Sequence, residues 1–166
     1  MQKYHFTISN YHTAEFIGMC HSVTSFICLL FLNVSHVNVK VLQDDSSNYC
    51  VCVNAATLAL VDAGIAMKDI VCSCTTADLG FASGEGSTPV IDINKLEHGF
   101  CNVVTVTYLS KLGKIVQLES TGRLHIARLH DLMQAAIEGC QELHDILEAA
   151  IREHVKKLAS SIESSG

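Results

Sequence analysis

The sequence predicts an α/β (α+β) fold: a mixed sheet with a short helix after its first strand and a long helix at the C-terminus. Three observations carry this. Residues 37–41 alternate apolar and polar side chains, placing Val37, Val39 and Val41 on one face, which is the two-residue period of a half-buried strand. Small apolar residues then fill 48–63, and one apolar stripe at spacings of three and four runs through 126–158. At 166 residues the chain has room for one domain with a core that needs no staples.

After the strand at 37–41 comes a polar turn, Asp44-Asp45-Ser46-Ser47-Asn48, rich in the residue types whose side-chain oxygens accept the orphan amides of a helix start. The helix expected from 48 to 63 carries Cys52, Ala55, Ala56, Leu58 and Ala59, small enough to wedge between neighbours, and Gly64 can take the left-handed conformation that ends it. Residues 69–76 read as a strand, 80–89 as a flexible Gly/Ser-rich loop, and 90–93 as a short strand. Two further strands, 102–109 and 115–119, flank Ser110-Lys111-Leu112-Gly113-Lys114, a hairpin whose turn Gly113 supplies. The last helix packs Ile126, Leu129, Met133, Ala136, Cys140, Leu143, Leu147 and Ile151 toward the core, with Gly139 marking a close approach.

Composition narrows the function. Charged residues are 17%, apolar residues 49% and mean hydropathy is +0.31, which excludes a disordered chain. With 11 basic and 17 acidic residues the net charge is −6, against a freestanding nucleic-acid binder but compatible with a subunit whose partners supply positive charge. The eight cysteines contain no CxxC, and Cys50/Cys52 on a helix point about 200° apart, so buried free thiols are expected and no metal or cofactor. Reduced thiols suit a nuclear or cytosolic chain. The nine histidines are scattered and read as surface or helix-packing residues. Residues 16–34 are apolar, but their strongest run, 26–32, is too short to span a bilayer and no small-x-small cleavage pattern follows it. A membrane-associated or secreted protein anchored by 16–34 is the alternative from another class.

A strand, a polar turn and a tight helix can hold a phosphate on backbone amides. Here the turn Ser46-Ser47-Asn48 has no Arg or Lys, and Asp44 and Asp45 stand ahead of it, so helix capping is favoured over anion binding. The run Val41 to Ile65 (VLQDDSSNYCVCVNAATLALVDAGI), with Lys68-Asp69-Ile70-Val71-Cys72-Ser73-Cys74 after it, resembles the RNase PH family. Within that family it is most similar to the eukaryotic exosome ring subunit that corresponds to the archaeal catalytic subunit. The resemblance continues through Lys111-Leu112-Gly113-Lys114-Ile115-Val116 and Arg123-Leu124-His125 to Ile151-Arg152-Glu153-His154-Val155. It covers 37–158 and implies the C-terminal half of such a subunit, a partial RNase PH-like fold. Residues 1–36 match nothing in the family and are divergent or artefactual; 159–166 read as a flexible tail.

The resemblance implies chemistry that this chain lacks in part. Family members degrade RNA from its 3′ end by phosphorolysis, which needs an anion clamp and an acid at the leaving group. Active members carry a Ser-Arg or Thr-Arg pair in the turn before the helix, where Asn48-Tyr49 stand here. They also carry an Asp at the head of the strand preceding the KLG-type hairpin, where the alignment places Val103, after Asn102. The expectation is a non-catalytic subunit with Tyr49 and Val103 as degenerate positions and Ser46, Ser47 and Asn48 as a phosphate-loop remnant. It would scaffold an exosome ring beside other RNase PH-like ring subunits and cap subunits, with RNA as a partner through the complex and no membrane. The expected location is nucleus, nucleolus and cytoplasm, and the alternative within the family is an active phosphate-dependent 3′-to-5′ exoribonuclease.

Overall fold

The computed structural model describes residues 4–7, 38–41, 45–79 and 88–163. Strands β1 (Tyr4–Thr7) and β2 (Asn38–Val41) precede helix α1 (Asn48–Asp62) and strand β3 (Val71–Asp78). Strand β4 (Val90–Ile91), helix α2 (Lys95–His98), strands β5 (Asn102–Leu109) and β6 (Lys114–Thr121), and helix α3 (Ile126–Glu163) complete the order. One sheet has the order β4-β3-β5-β6, and β1 pairs with β2 apart from it. The α/β class is as expected, but every described pairing is antiparallel where a mixed sheet was expected. The reason lies in the connections: β5 and β6 are joined by a tight turn, far shorter than the crossover that parallel neighbours require.

Burial on both faces makes β3 the centre of the molecule. All eight of its residues are buried, as in a strand covered from two sides. On one side Val53, Ala56 and Leu60 of α1 meet Val71 and Leu109. On the other, Leu132, Ala136 and Cys140 of α3 meet Cys72, Cys74, Val104, Val106 and Tyr108. Gly139 is the close approach the sequence suggested: a Cβ there would lie 2.9 Å from Cys74 Sγ and 3.3 Å from Ile91 Cδ1. Five of the six described cysteines are buried and all six are free thiols. Burial pushes Cys72 and Cys74 up to about 12, and Cys140 higher still.

Element ends follow local chemistry. Gly64, at φ +68, ends α1 as expected; its N–H donates to the Val61 carbonyl and that of Ile65 to the Leu60 carbonyl, the paired bonds of a Schellman stop. Gly113 closes the β5–β6 turn at φ +65. The turn is also held by Asp69, whose buried carboxylate accepts from the N–H groups of Lys111 and Leu112 at 3.0 and 3.1 Å. The Arg128 guanidinium reaches Asp78 Oδ1 and Oδ2 at 3.0 and 3.2 Å, tying the start of α3 to the end of β3. Those carboxylate bonds raise the Arg128 pKa further.

Several expectations need correction. The helix predicted to end at 158 runs to Glu163, so 159–163 is helical rather than a flexible tail. Its last turns carry Ala159 with Lys156 and Lys157, residues that favour helix without tertiary support. The strand expected at 69–76 is Val71–Asp78, because Asp69 is used on the hairpin turn. Helix α2 was not anticipated, although Asn94 and Glu97 form a capping box with Asn94 Oδ1 accepting from Leu96 and Glu97 N–H. Residues 16–34, Val37, Asp44, loop residues 80–87 and 164–166 lie outside the described residues.

Candidate functional site

A cleft of about 380 Å³ opens where α1 begins, and its lining comes from five separate stretches of chain. The turn Ser46-Ser47 and the first residues of α1, Asn48 and Tyr49, form one wall. The sheet forms the floor, with Thr75 of β3, Val103 and Thr105 of β5, and Glu119 and Thr121 of β6. Strand register puts these in rows: Thr75 opposes Thr105, which opposes Glu119, and Val103 opposes Thr121. Lys95 and His98 of α2 line it too. All five residues singled out from the sequence, Ser46, Ser47, Asn48, Tyr49 and Val103, therefore meet at one cleft.

The wall departs from the capping expected of it. Ser46 and Ser47 both hold left-handed backbone, at φ 66 and φ 52, a conformation that costs non-glycine residues about 1–2 kcal/mol each. Ser47 is the N-cap of α1 but its side chain makes no capping bond; its hydroxyl instead lies 3.5 Å from the Ile93 carbonyl. The physical reason is that an N-cap side chain reaches back to the helix amides from the β region, and Ser47 is not there. Tyr49 packs against the apolar cluster under α1, and its hydroxyl donates to Gln117 Oε1 on β6. The ring thus spans from helix to edge strand.

Beneath the cleft lies a polar interior. Cys50 Sγ is 2.9 Å from Thr75 Oγ1 and 3.2 Å from Ser73 Oγ, and Ser73 Oγ is 3.0 Å from Thr107 Oγ1. Asn54 bonds the Ser73 backbone at both its amide groups, 3.0 and 2.7 Å. Burial raises the Cys50 pKa, and the bonds from Ser73 and Thr75 only partly oppose it. Cys50 thus packs and hydrogen-bonds within this interior.

Two features of the site were not read from the sequence. Glu119 places a carboxylate on the floor, where no acid at the sheet was expected. A register shift at Thr107/Tyr108 changes which β6 residues face α1, so period-two counting along β6 could not find it. Lys95 and His98 add basic side chains; the signal that could have found them was Asn94-x-x-Glu97, the start of α2. The lining contains no arginine. Among the described residues, hydroxyls, an amide, one carboxylate and two basic groups of the lining can hydrogen-bond a polar ligand of either charge. Among the described residues, no group of three or more His, Cys, Asp or Glu could hold a metal ion. None of their helices is long and apolar enough to cross a membrane.

Comparison with known proteins places these observations. No protein-family profile matches the chain. It is 36% identical over 127 residues to exosome complex component RRP41 of Mus musculus, covering 76% of this chain and 49% of that protein. It is 35% identical over 126 residues to exosome complex component ski6 of Schizosaccharomyces pombe, covering 76% and 50%. With the RRP41 homolog of Arabidopsis thaliana it shares 34% identity over 136 residues, 79% and 54%. The chain thus spans about half the length of the curated relatives it matches. The crystal structure of rice (Oryza sativa) Rrp46 has the same fold, with a TM-score of 0.65 at 17% identity over 83% of this chain and 68% of that one.

Proposed function

We propose that this chain is a non-catalytic structural subunit, or part of one, of an RNA exosome ring, of the exosome component four type. It contributes to 3′-to-5′ RNA processing and degradation by scaffolding the ring and threading RNA. The observation that carries this reading is the convergence of Tyr49 and Val103 on one cleft. Those are the positions where the family resemblance calls for a phosphate-clamping arginine and a general acid. Identity of about 35% to the exosome components RRP41 and ski6 supports the assembly. A net charge of −6 adds to it, because RNA contact then needs basic neighbours. Its partners are other RNase PH-like ring subunits and cap subunits, and its location is the nucleus and nucleolus, with a cytoplasmic pool.

One observation favours a second reading, an active phosphate-dependent exoribonuclease. Glu119 could serve as the acid, and Lys95 and His98 could meet the anion, from positions other than the family's. A single assay separates the two. Purified protein is incubated with single-stranded RNA and inorganic phosphate, and release of nucleoside diphosphates is followed. The structural reading expects none. Robust release that Glu119→Gln lowers by about 10²- to 10⁴-fold would establish the second reading and refute the first. Affinity purification of the tagged chain from cells tests the assembly: exosome ring subunits are expected in the eluate, and their absence counts against membership.

A further inference from the structure

We draw no further inference here: the strongest candidate, the apolar stripe Ile151, Val155, Leu158 and Ile162 that carries the core-facing side of α3 toward its C-terminal end with Val155, Leu158 and Ile162 exposed, has nothing in the structure to show what covers it.

Discussion

The two faces of the central sheet are built from different materials. The face under α3 is apolar and tight: Leu132, Ala136 and Cys140 are completely buried against Cys72, Cys74, Val104 and Val106, and Gly139 leaves no room for a methyl group. The face under α1 changes along its length, from an apolar patch around Leu60 and Val71 to the hydroxyls of Ser73, Thr75, Thr105 and Thr107, and then to the open cleft. One face therefore holds the domain together while the other accommodates a site. Stability should be concentrated under α3, because buried apolar volume contributes more than hydrogen bonds that merely replace those made to water.

Truncating the apolar face is the strongest way to break that contrast. Leu132→Ala should cost about 2–5 kcal/mol, and Thr105→Ala on the cleft floor should cost under about 1 kcal/mol. Urea denaturation of both variants would decide it; equal losses would mean the two faces share the load.

A smaller effect is expected from overfilling the same face. Gly139→Ala places a methyl 2.9 Å from Cys74 Sγ, and should cost about 1–3 kcal/mol as helix and sheet separate. Restoration by a second change, Cys74→Ala, would tie the loss to that contact, whereas a double variant no better than the single one would assign it elsewhere.

Alkaline pH sharpens the comparison chemically. The folded pKa values of Cys72 and Cys74, raised by burial to about 12 from an ordinary value near 9, lie above those of the unfolded chain. Their stabilising contribution is thus fully present below about pH 9 and is lost as pH rises toward 12. At pH 10 each thiol should account for about 1 kcal/mol of lost stability. Cys74→Ala should make the decline between pH 9 and 10 shallower, measured by denaturant midpoint at each pH; an unchanged slope would contradict a dry thiol face.

The mildest test lies at the cleft. Tyr49→Phe removes the hydroxyl that reaches Gln117 while keeping the ring over the apolar cluster, and should cost about 0.5–1.5 kcal/mol. Amide exchange should show local loosening of β6 with little change under α3; loosening under both would show the faces to be coupled.

The legible parts of this protein were those with local causes. Gly64 and Gly113 at positive φ and the three-and-four spacing of α3 each act within a few residues, so the end of α1, the hairpin and the long helix could all be read in advance. The antiparallel sense of the whole sheet and the non-capping conformation of Ser47 could not, since each depends on what lies across from it. Glu119 eluded the reading because one irregular pair, at Thr107/Tyr108, resets the period of its strand.

What the sequence by itself determined is most of the elements, with β1 and α2 as the exceptions, and the identity of the residues at 46–49 and 103, including the lack of an arginine in that turn. Only the tertiary structure decided that these residues share a cleft, and that Glu119, Lys95 and His98 join them there. The physical reason is distance along the chain: backbone preference and side-chain periodicity act over a turn of helix or a pair of strands. The cleft gathers segments between residues 46 and 121, which come together only when both faces of β3 are buried.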